Sequence, residues 1–305
     1  MAEKRSNLLL WIVVGGGAFL FIALSLIALL WSVTNNPSSS LSSSFSLSSN
    51  EVAVIEVEGI ITDSKEFTDQ LRDYGDRSSV KAVVLHLNTP GGGVAASQEM
   101  YEAVRKFRAK THKQVVVSMS SVAASGGYYL ACAADKIFAD AGTITGSIGV
   151  IAEWFNYGDL LRWAKLQSIT IKSGPLKDAG SPTRPLTEEE KAYFQSLIDN
   201  MYSQFVSAVA SGRKMAVSDV RKLADGRVYT GEEAKSNGLI DEVGTLQDAV
   251  AAAGKMAGIA GAPRVVTPPR KSVSLLDLLL GDARTFLQLD TDRSESNIRF
   301  QYLWR

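Results

Sequence analysis

The chain has 305 residues, with 32 lysines and arginines against 32 aspartates and glutamates and only two histidines. Balanced charge excludes the basic footprint of a nucleic-acid binder and the acidic run of a solvating tail. The single cysteine, Cys132, excludes an internal disulfide, and its neighbours Leu130, Ala131, Ala133 and Ala134 predict a small buried residue rather than a reactive thiol.

From Ser6 to Asn50 no side chain is charged. Leu8 to Val33 is almost entirely apolar, and as a helix it would extend roughly 39 Å, beyond the ~30 Å of a hydrocarbon core. Trp11 and Trp31 stand near its ends, where interfacial aromatics sit. The stretch "WSVTNNPSSS" offers no small-residue cleavage site, so residues 8–33 read as an uncleaved transmembrane signal anchor. Lys4 and Arg5 precede it and the next basic residue is Lys65. Positive-inside bias therefore keeps residues 1–7 cytoplasmic and puts the remainder on the exoplasmic side of the cell membrane. Residues 34–50 form a serine-rich linker of coil dimensions, roughly 20–24 Å, which keeps the folded part close to the membrane.

Residues 51–258 alternate strand and helix patterns. "VAVIEV" (52–57), "KAVVLHL" (81–87) and "QVVVSM" (114–119) read as strands, as does "ITIKSG" (169–174). After "NTPGGG", Met100, Val104 and Phe107 share one helical face. Thr187 with Glu190 forms a capping box before a long helix striped by Phe194, Leu197, Met201, Phe205 and Val209 and ending at Gly212. Thr230 with Glu233 opens a short helix closed by Asn237-Gly238. The alternation predicts an α/β domain. In the tail, 259–305, "SVSLLDLLLGDARTFLQL" suits an amphipathic helix. "NIRFQYLWR" alternates as a strand that needs a partner: its own domain, a neighbouring subunit or a substrate groove.

Ser125 in "SVAASGGYYLACAAD" stands between small residues at a strand-to-helix turn, the position of a nucleophile. A proton acceptor follows by elimination. His86 lies inside a strand and reads as a satisfied structural residue, and His112 sits in a polar loop. Neither belongs to a zinc pattern, so no metal or cofactor is expected. A lysine can act if its amine is neutral. Near its ordinary pKa roughly one amine in 2,500 is neutral at pH 7, and lowering the pKa by about 3 units needs roughly 4 kcal/mol, which apolar burial supplies. Lys136 reads as exposed; Lys172 and Lys177 remain as alternatives, the first sharing a strand face with Thr170, the second in a Gly/Pro-bounded loop.

"NTPGGGVAAS", "SVAASGGYYLACAADKIFA", "TGSIGV", "KSGPLKDAGSPTRPLT" and "GRVYTGEEAKSNGLIDEVG" together closely resemble the signal peptide peptidase A family, in its short, single-domain form. The match runs in order from about Val52 to Gly244. The resemblance implies a fold related to Clp protease and crotonase, a spiral of βαβ units. It implies a membrane-anchored serine protease that degrades signal-peptide remnants and similar apolar peptides. Carried over, the nucleophile is Ser125, the general base Lys177 and the accessory hydroxyl Ser147. The oxyanion-hole amides fall at Gly91 or Gly92 and at Gly126. The short form further implies homo-oligomeric rings with the dyad shared between subunits. Competing readings are a crotonase-like acyl-CoA enzyme, for which the "PGGG" turn would hold a thioester oxygen, a non-catalytic membrane scaffold, and an anchored protease working with stomatin-like partners.

Overall fold

β-Branched runs alternate with helices from residue 51 onward, and the alternation resolves into a parallel-rich sheet. The computed structural model describes residue 25, residues 50–268 and residues 299–304. The expected anchor and linker lie outside them but for residues 25 and 50, as does the expected tail helix. Among the described residues no helix is long and apolar enough to cross a membrane.

The elements run β1 (Glu51–Glu58), α1 (Lys65–Asp76), β2 (Val80–Thr89), β3 (Gly91–Gly93), α2 (Val94–Thr111), β4 (Gln114–Ala124) and α3 (Gly126–Ala131). Then come β5 (Lys136–Ala139), β6 (Ile144–Gly146), β7 (Ile151–Glu153), α4 (Gly158–Trp163), α5 (Glu188–Arg213) and α6 (Val217–Leu223). The last are β8 (Val228–Thr230), α7 (Gly231–Ser236), β9 (Glu242–Val243), α8 (Leu246–Met256), β10 (Arg264–Val266) and β11 (Arg299–Leu303). The main sheet has the order β10-β1-β2-β4-β5-β9, parallel throughout, and β6 and β8 extend from the end of β4. Period-two alternation divides the core. Val52, Val54, Val84 and Val116 pack under α8, while Ile55, Val83, Leu85 and Val117 join α1, α2 and α5 on the other face. A parallel sheet needs both faces covered, and this mixed α/β fold covers both.

Both capping boxes form. The Thr187 hydroxyl accepts from Glu190 N–H and the Glu190 carboxylate from Thr187 N–H; Thr230 and Glu233 do the same. Helix α5 runs one residue past Gly212. A Cβ there would fall 2.2 Å from the Cys132 carbonyl oxygen, so Gly212 serves close packing on α3 rather than termination. Lys214, with φ +55°, makes the left-handed cap instead.

Three expectations change. Residues 169–174 form no strand: Ile169 and Ile171 are 84% and 97% exposed and meet no partner among the described residues. Lys136 is half-buried within β5 and paired with Glu242 at 2.5 Å. His86, central in β2, leaves its buried Nδ1 without a hydrogen-bond partner among the described residues. His112 lies exposed in the loop before β4, as expected, where it forms the left-handed cap of α2, φ +57°. Cys132 is buried as expected, and burial pushes its thiol up to about 12.

The loop before α5 is fixed by charge. Arg184 bridges Asp178 at 3.0 Å and the buried Glu190 at 2.5 Å, and Lys172 donates to Asp178 at 2.5 Å and to the Pro175 carbonyl at 2.9 Å. The Arg184 guanidinium, helped by Thr187 N–H, holds the Glu190 carboxyl at about 2. A depressed carboxyl contributes stability above its unfolded pKa, near 4.3, and loses it as pH falls through about 2. Glu190→Gln is therefore expected to lower the melting temperature by several degrees at pH 7, with the gap from wild type closing as pH approaches 2. Circular dichroism melts check this; coincident melts at pH 7 would remove the clamp.

Candidate active site

Strand β4 ends at Ala124 and α3 begins at Gly126, so Ser125 alone turns the chain. It does so at φ +52°, ψ −114°, a conformation that a non-glycine residue holds only where its surroundings enforce it. Ser125 N–H donates to the Gly146 carbonyl at 2.8 Å, which ties the turn to β6. Ser147, the next residue along β6, also has positive φ, +49°, and its N–H donates to the Arg227 carbonyl at 2.8 Å. Both serines are buried, and both line one cavity of about 450 Å³ with Asp199 and Tyr202 of α5 and Leu303 and Trp304 of the C-terminal strand.

Three glycine amides lie beside Ser125, and they point to different partners. Gly91 N–H donates to Thr89 Oγ1 at 3.1 Å, and Gly93 N–H to the Ile61 carbonyl at 2.8 Å. Strand β3 pairs antiparallel with β11 in the register Gln301–Gly93, Tyr302–Gly92 and Leu303–Gly91. Trp304 N–H donates to the Pro90 carbonyl at 2.9 Å. Ladder alternation then makes Tyr302–Gly92 a doubly bonded pair, so Gly92 N–H meets the Tyr302 carbonyl. A Cβ on Gly91 would fall 2.0 Å from that carbonyl oxygen and 2.6 Å from Gly126 N. Only a glycine leaves room for a peptide carbonyl beside the first amide of α3, which has no intrahelical acceptor. A Cβ on Gly126 would fall 2.4 Å from Ser97 Oγ, a buried hydroxyl that donates to the Gly93 carbonyl.

On its other edge β11 pairs antiparallel with β7, Gln301 with Ile151 and Phe300 with Ala152. The C-terminal strand thus docks on its own domain, in a slot between the glycine strand and β7. Its Tyr302 side chain is fully buried, stacked on Tyr129 at 5.2 Å and tilted against Phe205 at 4.8 Å, and its hydroxyl donates to the Met201 carbonyl at 2.9 Å.

The structure brings Ser125, Ser147, Gly91, Gly92 and Gly126 together. Lys177 is not among the residues lining the serine cavity of its own chain: it is exposed, in the turn that Asp178 and Arg184 pin. Lys172, the alternative, has its amine engaged by Asp178 and Pro175, whereas no ion pair or hydrogen bond holds the Lys177 amine among the described residues. Sequence reasoning missed Thr89 and Ile61, which set the direction of the glycine amides. The threonine directly before "PGGG" was the one signal available.

Comparison with known proteins identifies the family. The profile of peptidase family S49 matches residues 107–260, and that of Clp protease residues 46–140, in keeping with a Clp protease-like fold. A protein of Enterococcus faecium named for signal peptide peptidase SppA is 38% identical over 216 residues, 67% of this chain and 62% of that protein. A Synechocystis protein named as a protease is 41% identical over 211 residues, covering 68% and 75%. Protease 4 of Haemophilus influenzae is 35% identical over 210 residues, 66% of this chain but 34% of its own length. The chain therefore spans under two thirds of the Enterococcus relative and about a third of Protease 4. Half of its residues fit one profile and three quarters of a 41%-identical protein align with it: the chain belongs to peptidase family S49.

Proposed function

We propose that this chain is a membrane-anchored serine endopeptidase in which Ser125 is the nucleophile and Lys177 the general base, acting on extended apolar peptides such as released signal peptides. One observation supports this most: an extended peptide strand, β11, lies between two strand edges with its Tyr302 carbonyl paired to the Gly92 amide and packed close to Gly126, the residue after Ser125. A groove that binds its occupant by strand addition suits an unfolded peptide, not a coenzyme-A thioester. The name of the Enterococcus faecium relative points to signal peptides as the substrate class.

In this mechanism the neutral Lys177 amine takes the Ser125 proton as Oγ bonds to the substrate carbonyl carbon. Gly92 and Gly126 N–H groups hold the oxyanion; the Gly91 amide, given to Thr89, keeps the turn in place. Lys177 returns the proton to the leaving amine as the C–N bond breaks, and water then hydrolyses the acyl-enzyme. Ser147 accepts a hydrogen bond from the amine and orients it.

The base comes from a neighbouring copy of the chain in an oligomeric ring. Lys177 is exposed in its own chain, and Phe155, Leu160, Trp163, Ile169 and Ile171 on the same segment are more than half exposed. Such a patch reads as a contact surface. Closing it over Lys177 would strip water from the amine and favour its neutral form.

Ser125→Ala and Lys177→Ala are each expected to reduce kcat for an apolar peptide by at least about a thousandfold. Wild-type activity should climb with pH as the amine deprotonates. Mixing the two inactive variants should restore cleavage at up to about a quarter of sites, because one interface then combines an intact serine with an intact lysine. Full activity in either variant would end the dyad, and no recovery on mixing would place both residues in one chain.

A further inference from the structure

A formal net charge of zero conceals a separation of charge along the strands. At the C-terminal end of β1 a cavity of about 550 Å³ is lined by Glu56, Glu58, Asp63 and Glu66, with no lysine, arginine or histidine among the described residues of its wall. At the N-terminal ends of the strands the sign reverses. A cavity of about 370 Å³ beside the starts of β2 and β4 is lined by Lys81, His112 and Lys113 with Ser78, Thr111 and Met256, and by no acid among the described residues. Another, of about 210 Å³ beside the start of β5, is lined by Arg105, Arg108 and Lys214, with Asp135 the acid among them.

Parallel topology produces this basic edge. Strands β1, β2, β4 and β5 start on it, and α1, α2 and α8, which run back against the strands, end on it. Part of the charge answers the carbonyls of helix ends: Lys113 donates to those of Tyr74, Gly75 and Arg77 at 2.8, 2.7 and 2.8 Å. Helix ends do not account for the rest. The amines of Lys81, Lys110 and Lys214 have no ion pair or hydrogen bond among the described residues. Glu51, Asp135, Asp241 and Glu242, acids of the same edge, are already paired, which leaves Asp73 and Asp76 to oppose those amines. The edge also receives the chain. The Asn50 carbonyl, at the end of the serine-rich linker, accepts from Arg264 N–H at 3.3 Å, and Glu51 N–H donates to the Ser79 carbonyl at 3.0 Å, between Ser78 and Val80 of the first basic cavity.

We infer that this basic edge is a docking surface for the anionic headgroups of a phospholipid bilayer, and that the cavity of Lys81, His112 and Lys113 seats a headgroup phosphate. This rests on the membrane anchoring proposed above, because a linker of roughly 20–24 Å keeps the edge it enters near the bilayer. Anionic headgroups act on a lysine only within about a Debye length, roughly 8–10 Å, and each lysine held there contributes roughly fivefold in affinity. Met256, 40% exposed at the rim of the same cavity, adds an apolar contact beside the cations. Docking has a consequence for the serine site. Strand β4 starts on this edge and carries Ser125 at its other end, 11 residues and roughly 35 Å away. The nucleophile then meets peptides that have left the bilayer, not spans still inside it.

The test uses the full chain in bilayer discs of neutral phosphatidylcholine, alone or with about a third phosphatidylglycerol. A fluorophore is attached at Ser78→Cys on the basic edge or at Glu58→Cys on the acidic one. Cys132 stays unlabelled, being buried with its thiol pushed up to about 12. In anionic discs, lipids with a headgroup quencher should dim the Ser78→Cys label at least about twofold more than the Glu58→Cys label, and the contrast should fade in neutral discs or at high salt. Lys81→Glu with Lys110→Glu should abolish it as well; if that variant folds poorly, the salt and lipid arms still decide. Equal dimming at both edges, or dimming of the Ser78→Cys label that ignores lipid charge and salt, overturns the surface and leaves the anchor standing. A chain that does not enter the discs removes the anchor instead, and the edge is then judged on anionic vesicles. Binding there that the double variant weakens by at least about 25-fold keeps the surface, and no binding overturns it.

Discussion

Backbone meets backbone at the centre of this molecule at distances no side chain would allow. Cβ atoms on Gly91 and Gly92 would each lie 2.0 Å from a backbone oxygen, of Tyr302 and of Ile61. That proximity joins four distant stretches of sequence at one point: the loop at Ile61, the turn after Thr89, the bend at Ser125 and the strand around Tyr302. Each glycine amide is given one direction by a different neighbour, and the outward one remains for a peptide carbonyl. Preorganised donors stabilise charge well because they need no rearrangement when it develops. Here the organising groups are Thr89 and Ile61, neither of which touches the occupant's carbonyl.

The lysines are sorted by their partners. Lys172 donates to Asp178 and to a backbone carbonyl, and Asp178 is drawn below the usual carboxylate range first by Lys172 and then by Arg184. Five residues on, Lys177 stands outside this network, in a turn whose backbone the same network restrains. Under the proposed mechanism this division is what a base requires: one lysine spends its charge holding the loop, and the other is delivered by it with no carboxylate to keep it cationic.

Much of this was legible in sequence because it depends on local rules. The capping boxes at Thr187 and Thr230, the β-branched strands and the Ser125 turn follow from hydrogen bonding and sterics within a few residues. Three features were not. "ITIKSG" alternates like a strand, but alternation only offers a face, and no neighbouring edge among the described residues takes it. Gly212 carries the mark of a helix end, yet the nearness of Cys132 gives it another purpose. The pairing of the C-terminal strand with "GGG" joins residues two hundred positions apart, and no local pattern encodes register across that span. The strand itself was readable, and its need for a partner too; which partner was a matter of tertiary structure.

The two-edged seating of β11 carries a further consequence. Tyr302 and Trp304 turn their amides toward β3, and Gln301 turns its own toward β7. A chain taking this place must lie fully stretched, in one polarity, with an N–H at each of those positions. Proline has none to give, and a helix keeps its own. Under the proposed mechanism, selection thus begins before any side chain is inspected: folded polypeptides and imino-acid-rich segments are turned away by the main chain alone.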